Sequence, residues 1–573
     1  MTLNDAERHI QADVLDGPAE CEILVIGGGA TGAGVARDAA MRGFSTILVD
    51  RSDLATGTTG RFHGLLHSGG RYVVHDPKAA QECYAENVVL RRIAADCIED
   101  TGGMFVSTPL DNPGFAGEFL RGCADTGVPV QEISVSQALA REPRLNPRIS
   151  RAFLVPDATI DAWKTVWACA RSAAGHGARI LPYHQVTAVT TDGARVTGAV
   201  VRAPSGQEAE IRAELVVNAS GAWAGELAAM AGCKVTILPG KGIMVAANHR
   251  LVHTVINRCE RAADGDILVP IRTVSVIGTT DSRTDDPDDN SIPADEVEQM
   301  IASGEALVPG FRQARMLRAW SGARPLFQDD LPAESRDVTR AHAVLDHAAR
   351  DGVERFLTIT GGKFCTFRLM AQDAVDAAEA VLGVRQPCRT GDEPLPDSAD
   401  GRFYWIGSRL AKREQTLHGD QLICECELIQ RSRLEAAMAQ RRSVNLDDIR
   451  RILRLAMGPC QGGFCIFRAT GILHEQLHLS GEQANSSLLG FLAERWRGYQ
   501  PLLHGDQLRQ AWLDDWIFQG VLDVEHLPGG GGAAAAGPAG DADSADSAAD
   551  ADSAADAASA DSAAGPAAGQ AAP

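Results

Sequence analysis

Between Ile23 and Asp50 the chain reads "ILVIGGGATGAGVARDAAMRGFSTILVD". An apolar run gives way to glycines, then to apolar positions at helical spacing, then to a second apolar run that closes on an acid. That succession predicts strand, turn, helix and strand. From about 80 to 215, helical periodicity, as in "AAQECYAENVVLRRIAADCIED", mixes with alternating stretches such as "VTGAVVRAPSGQEAEIRAELVVNAS". Strand-like runs dominate from 235 to 330. "LVVNASGAWAGELA" (215–228) reads as a buried strand ending in a glycine turn, and "FLTITGGKFCTFRLMAQDAVDAAEAVL" (356–382) repeats strand, Gly-Gly and helix. A Pro- and Asp-rich linker follows over 386–415, then a compact helical segment over 416–525. The tail, 528–573, has almost no large apolar side chains to offset its ordering entropy and is expected to be disordered.

Length and charge narrow the reading. A chain of 573 residues has room for several domains, and 45% hydrophobic content supplies real cores. The formal net charge is −21, and seven aspartates in the last 45 residues account for a third of it. Nucleic-acid binding is disfavoured, because phosphate contacts need a basic face. Only six of the 54 basic residues are Lys, which fits either a halophile or a GC-rich genome. The acidic start, "MTLNDAERHIQADVLDGPAE", is unlike a secretory signal, and no apolar run is long enough for a transmembrane helix. Thirteen cysteines in such a chain are expected to be reduced thiols or metal ligands, and the expected location is cytoplasmic.

The opening unit carries a G-x-G-x-x-G pattern at Gly27, Gly29 and Gly32, with Gly28, Ala30 and Thr31 in the same turn. Gly27 makes the tight turn, Gly29 admits a pyrophosphate close to the backbone, and Gly32 lets the helix pack on the strands. The helix N-terminus offers its amides and dipole to phosphate. Asp50, ending the second strand, is placed to accept from ribose hydroxyls. The competing reading is a glycine-rich turn that binds nothing. FAD is favoured over NAD because further βαβ repeats do not follow. Instead comes a small-residue loop, "DLATGTTGRFHGLLHSGGRYV" (53–73), which includes Thr58, and later the Gly361-Gly362 turn. Segments converging on one extended cofactor suit FAD, and helix N-termini near a flavin stabilise its reduced, anionic ring.

Here a resemblance becomes specific. "GGGATGAGVARDAAMRG", "ATGTTGRFHGLLHSGGRY", "NRCERAADGDILVP", "SVIGTT", "SGARPL", "ITGGK" and "CEC…GPCQGGFC" resemble the large-subunit family of anaerobic glycerol-3-phosphate dehydrogenases, respiratory flavoenzymes, over residues 23 to about 525. The resemblance implies an α/β, glutathione-reductase-like FAD-binding Rossmann domain over 21–385. Antiparallel-sheet substrate segments would be inserted around 100–190 and 235–330. It implies oxidation of sn-glycerol 3-phosphate to dihydroxyacetone phosphate, with electrons passed through partner B and C subunits to the quinone pool. Peripheral attachment to the inner face of the membrane through those partners would follow; whether a partner carries FMN stays open.

A phosphate monoester calls for Arg forks and Lys point charges. Arg324, Arg71 and Lys363 sit beside small residues that allow close approach, and Tyr72 adds a hydroxyl. The resemblance places the matching positions around substrate. Arg258 in "INRCER" is a further candidate; loop arginines are otherwise surface charges. Oxidation also needs a proton acceptor, and His67 or His63 can serve. Either could equally be a hydrogen bonder of the cofactor loop. Cys83, Cys97, Cys123, Cys169 and Cys233 show no paired spacing and are expected to be buried hydrophobes.

Cys424 and Cys426, then Cys460 and Cys465, give C-x-C, 33 residues, C-x4-C. The pattern resembles the helical [2Fe–2S] domain of the bacterioferritin-associated ferredoxin type. Four thiolates suit such a cluster or a structural zinc. An FAD and a cluster in one chain point to single-electron export, hence a dehydrogenase rather than an oxidase. A flavin oxidase of another small acid or phosphate, and a non-catalytic redox scaffold, remain the alternatives.

Overall fold

The structure, a computed structural model, describes residues 15, 17–329, 338–416, 419–439, 445–503, 507–521 and 523. The expectations for the first fourteen residues and for the tail at 528–573 lie outside them.

An eight-stranded sheet carries the opening unit, ordered Gln185–Asp192, Arg195–Arg202, Glu208–Asn218, Ala19–Ile26, Thr46–Val49, Arg179–Leu181. Phe356–Gly361 pairs parallel with the end of Glu208–Asn218 and antiparallel with His342–Asp346. The first strand runs parallel to both neighbours, with Val25 opposite Val217 and Leu48. Ile23, Leu24 and Val25 are fully buried. Burial on both faces explains why this strand reads as a continuous apolar run rather than an alternation. Helix Ala30–Met41 lies between Ala162–Gly175 and Phe367–Leu382. A Cβ at Gly34 would come within 2.9 Å of Ala371 Cβ, so two helices of small residues meet almost backbone to backbone.

A nine-stranded sheet is assembled from two chain segments, strands between Gly103 and Val155 and strands between Leu238 and Leu326. Val255–Arg258 beside Gly103–Ser107 is a parallel pair; its other pairings are antiparallel. The first of these segments is shorter than the sequence pattern suggests. Beyond Val155 the chain returns to the first sheet, since Ala162–Gly175 packs on Ala30–Met41 and Arg179–Leu181 pairs with Thr46–Val49. The alternation of Gln185–Asp192 belongs to that sheet's edge.

The stretch at 386–415 is no loose tether. Leu395 N–H bonds to Ile93 O at 2.7 Å, Tyr404 N–H bonds to Ile98 O at 2.7 Å, and both side chains are buried. Arg37, itself buried, reaches out to the carbonyls of Thr390 and Glu393. Pro and Asp set the composition of a linker, but two apolar anchors and an arginine strap it to the larger body.

Past it, a short hairpin (Leu422–Cys424 and Ile429–Gln430) and the helices Arg431–Ala439, Leu446–Leu453, Cys465–Gln476 and Gly481–Tyr499 enclose their own apolar core. This part docks on the larger body through charge: Arg318 to Glu494 at 2.6 Å, Arg454 to Asp161 and Arg451 to Asp53 at 3.5 Å each. Among the described residues no helix is long and apolar enough to cross a membrane.

Candidate functional site

A cavity of about 1300 Å³ opens where residues of both sheets meet, larger than the few hundred Å³ of a small-molecule pocket. One end is the glycine turn. Gly27 takes φ +113°, a conformation that favours glycine, and a Cβ on Gly32 would lie 1.8 Å from Gly27 O. The turn therefore closes only with both glycines. Gly29 caps helix Ala30–Met41, and the Ala30 amide at that N-terminus bonds to Thr59 Oγ1 at 3.1 Å. Asp50 accepts from the Gly28 amide at 2.6 Å and from Ser52 at 2.8 Å, which fixes its carboxylate at the cavity wall.

Of the expected dinucleotide contacts, Gly27, Gly29, Ala30, Thr31, Asp50, Thr58, Gly361 and Gly362 line the cavity. Gly28 and Gly32 stand behind it as spacers; a Cβ on Gly28 would run into Leu54. Thr58 donates to Ala323 O at 2.5 Å, tying the small-residue loop to the strand that bears Arg324. Gly361 and Gly362 both take positive φ and turn the chain from strand Phe356–Gly361 into the Lys363 loop. These features fit an FAD: a glycine cradle that a Cβ would fill, a helix N-terminus with amides to give, and a carboxylate beyond it.

The other end is cationic. Arg71, Arg324 and Lys363 line it with Tyr72, as the spacing and the resemblance implied. Arg71 is paired with the buried Asp266. Arg324 donates to Asp281 Oδ1 at 3.0 Å, to the Gly240 and Thr280 carbonyls and to Thr279. Its guanidinium is thus held rigidly, with one face left to the cavity. Burial pushes Arg324 down to about 10, which still leaves it charged at neutral pH. Lys363 Nζ donates to Arg340 O at 2.8 Å and stands 5.2 Å from the centre of the Tyr72 ring.

The two histidines differ. His63 Nδ1 accepts from the Leu65 amide at 3.2 Å, which leaves Nε2 as the ring's donor in the neutral form. Burial, with Arg71 and Arg324 nearby, takes His63 down to about 3. The His67 ring makes no hydrogen bond among the described residues and faces the cavity 5.5 Å from Tyr72. Burial, then His63, Arg71 and Lys363, hold His67 well below the ordinary imidazole value. Both rings are neutral at pH 7, and His67 keeps a nitrogen open.

Arg258 lies elsewhere. It is absent from the cavity wall and is bonded to Asp111, Nε to Oδ1 at 2.8 Å. Side chains alternate across a strand, so Arg258 and its neighbour Asn257 point to opposite faces. Asn257 grips Asp157 at 3.1 Å, and Asp157 in turn receives the Ser68 amide beside His67. The same segment supplies Arg261 instead. Sequence reasoning also missed Thr59, Arg61, Trp223 and Arg340, all on the wall. The hydroxyl pair in "GTTG" was a signal for Thr59; nothing local marks Arg340 in "DVTRAH".

Far along the chain the four cysteines converge. Cys426 Sγ is 3.9 Å from Cys460 Sγ, Cys460 contacts Cys465, and Cys465 contacts Cys424. Backbone amides turn toward them: those of Ala456 and Glu427 to Cys424, and those of Gly462 and Phe464 to Cys460. With the neighbouring thiols, these hold Cys424 and Cys460 below the ordinary thiol value. A Cβ on Gly458 would sit 2.2 Å from Cys426 Cβ, so only glycine lets that loop close. Cys83, Cys97, Cys123, Cys169 and Cys233 are all buried, as expected.

Comparison with known proteins agrees. Residues 22–363 match the family model described as FAD dependent oxidoreductase. Over 526 residues, 88% of this chain and 97% of the relative, the sequence is 41% identical to the A-type subunit of anaerobic glycerol-3-phosphate dehydrogenase from Escherichia coli (strain K12). It is 40% identical over 537 residues to the A1-type subunit of that enzyme from Haloferax volcanii, covering 88% and 91%. In fold it is similar to glycerol-3-phosphate dehydrogenase of Bacillus halodurans complexed with FAD (TM-score 0.54, 21% identity, 91% of both chains). Glycine oxidase from Geobacillus kaustophilus matches 67% of this chain and 99% of its own (TM-score 0.52, 23% identity). With the glycine cradle in place and the relatives matched over nearly their whole length, the chain belongs to the FAD-dependent oxidoreductases, in the family of A-type subunits of anaerobic glycerol-3-phosphate dehydrogenase.

Proposed function

We propose that the chain oxidises sn-glycerol 3-phosphate to dihydroxyacetone phosphate in the cavity, and that the electrons leave through partner subunits toward a quinone. The observation that carries this is one continuous cavity with a dinucleotide cradle at one end and converging cations at the other. Gly27, Gly29, Ala30 and Thr31 would hold the pyrophosphate and Asp50 the ribose. Bound FAD supplies a two-electron acceptor for the hydrogen on substrate C2.

The residues then divide the work. Arg71, Arg324 and Lys363 bind the phosphate, and their rigid tethers to Asp266, Asp281 and Arg340 O orient it without further ordering cost. Tyr72, whose hydroxyl makes no bond among the described residues, serves as a polar partner for the substrate. His67, neutral and open to the cavity, takes the proton from the C2 hydroxyl. Burial first, then His63, Arg71 and Lys363, lower its basicity in the empty site; a bound phosphate dianion offsets the cationic part.

Cys424, Cys426, Cys460 and Cys465 would hold a [2Fe–2S] cluster, which supplies one-electron transfer when bound. Two features favour it over zinc. Amides point at the sulfurs, and the quartet is extended. The sulfurs contact one another in succession, Cys426 to Cys460 to Cys465 to Cys424. A cavity of about 310 Å³ is lined both by Thr59–Phe62 of the flavin loop and by Ala456, Met457 and Gln461 of the cysteine loops. The two redox centres would therefore face one seam.

An anaerobic absorbance titration of the purified protein with glycerol 3-phosphate tests the reading. Bleaching of the flavin band at stoichiometric substrate is expected. A flavin that stays oxidised with glycerol 3-phosphate but bleaches with another small acid would overturn the substrate assignment.

A further inference from the structure

Cys83 is buried as the sequence suggested, but it is not solitary. Its Sγ lies 3.2 Å from Cys365 Sγ, across 282 positions of sequence. Two non-bonded sulfurs rarely approach so closely without exchanging a proton or forming a bond, and a disulfide needs only about 1.2 Å of further approach. Cys83 sits on helix Pro77–Ile93 and Cys365 in the short turn Phe364–Thr366 that follows Lys363. Both side chains are almost wholly buried. Tyr72 and Lys363, on the cavity wall, are near enough to act electrostatically on Cys83.

We propose that Cys83 and Cys365 form a reversible disulfide that shifts the Lys363 loop and switches off substrate oxidation. The oxidant is a small, uncharged hydroperoxide. One thiol attacks the O–O bond of hydrogen peroxide, giving a sulfenic acid and water. The second thiol displaces the hydroxyl as a second water, closing the S–S bond. Two thiols lose two hydrogens and two electrons, and one peroxide becomes two waters.

Geometry makes the loop responsive. Gly361 and Gly362, both at positive φ, form a hinge before Lys363, and Lys363 Nζ is anchored to Arg340 O. Drawing Cys365 toward the helix tilts this loop by a fraction of that approach. Displacements of about 1 Å at a positioning residue cost about a hundredfold in rate. The pair is also guarded. Burial, then the neighbouring Cys365 thiol, raises Cys83 well above the ordinary thiol value. Oxidation is therefore slow, and because neither sulfur is on the cavity wall it is restricted to small, uncharged reagents. The coupling to activity rests on the assignment of Lys363 to the substrate site; the disulfide itself does not.

The test treats full-length holoprotein with hydrogen peroxide, alkylates free thiols, and maps tryptic peptides by mass spectrometry beside anaerobic flavin bleaching by glycerol 3-phosphate. A Cys83–Cys365 cross-linked peptide is expected, with bleaching slowed by up to about a hundredfold and restored by dithiothreitol. Cys83→Ala and Cys365→Ala should bleach at the untreated rate and resist peroxide. Single sulfinic or sulfonic acids without a cross-link would overturn the proposal, as would equal peroxide sensitivity in both variants. A cross-link that leaves bleaching unchanged would overturn the coupling to Lys363. Should either variant misfold, the wild-type peptide map decides alone. Untreated protein that glycerol 3-phosphate never bleaches would instead indict the substrate assignment, with the peptide map still reporting on the thiols.

Discussion

Gly29→Val and Gly32→Ala separate cofactor binding from folding within one turn. Gly29 has φ −75° and ψ −174°, which any residue adopts, and its Cβ would meet only the tip of Thr59 at 3.2 Å. A Cβ there asks only a small shift of Thr59 in the empty protein, while a valine occupies the space of the pyrophosphate. Each charge-assisted amide–phosphate bond contributes about 1.5–3 kcal/mol. Losing one weakens FAD binding by about tenfold to a hundredfold at 1.4 kcal/mol per decade, and displacing the whole group costs more. Gly32 differs, because its Cβ would stand 1.8 Å from Gly27 O. The helix must retreat by more than an ångström, yet it is wedged against Phe367–Leu382, where Gly34 already touches Ala371. Overpacking of that kind costs about 1–3 kcal/mol. FAD-stripped proteins should therefore melt alike for wild type and Gly29→Val, and several degrees lower for Gly32→Ala. Purified Gly29→Val should be colourless, with FAD titration by fluorescence quenching giving the affinity loss. A Gly29→Val protein that stays yellow at wild-type stoichiometry would falsify the turn assignment.

Arg324→Lys keeps the charge but loses the fork, and should raise half-saturating glycerol 3-phosphate by about tenfold or more while FAD remains bound. Equal losses for glycerol and glycerol 3-phosphate would show a structural role instead. Leucine is the poorer probe, because it strips the buried Asp281 of its guanidinium at a cost of up to about 3–5 kcal/mol. His67 works as a base only when neutral, so activity is lost as pH falls through its folded pKa. Since burial, His63, Arg71 and Lys363 depress that value, kcat/KM should stay flat as pH falls past 6.5, once corrected for the substrate phosphate ionisation near about pH 6. An acid limb at or above 6.5 that vanishes in His67→Asn would contradict the burial argument. Cys426→Ser should abolish bound iron and quinone reduction in reconstituted membranes, yet leave flavin bleaching intact, because the cysteine part has a core of its own. Zinc without iron in the wild type, or full quinone reduction without a cluster, would defeat that reading.

What was legible in the sequence is what local geometry forces. The turn at Gly27 and Gly32 cannot be built from other residues, so the pattern carries its own meaning. The buried second half of the first strand, residues 23–26, shows as an unbroken apolar run. Arg71, Arg324 and Lys363, singled out by the resemblance and their small neighbours, all line the cavity. What was hidden depended on long-range packing. Which face of a strand a terminal residue takes decides between Arg258 and Arg261, and no spacing rule fixes that at a strand's last position. The stretch at 386–415 reads as a tether because its two anchors, Leu395 and Tyr404, are outnumbered by Pro and Asp, and only the tertiary fold supplies their pockets.

The same distinction explains why the cation cluster is strong without being costly. Each charge reached from a separate segment: Arg71 from the flavin loop, Arg324 from the inserted sheet, Lys363 from the closing turn, and Arg340 beside it. Left alone, converging charges would repel. Arg71 and Arg324 carry buried carboxylates behind them, Asp266 and Asp281, while Lys363 is met by a carbonyl dipole. The repulsion is thereby screened from behind while the front stays open to an anion. A site so balanced gains from a phosphate dianion and loses little in its absence. That is the arrangement expected where binding energy holds a small substrate in place for proton and hydride removal. The resemblance singled out the cations; their carboxylate partners, Asp266 and Asp281, needed the fold.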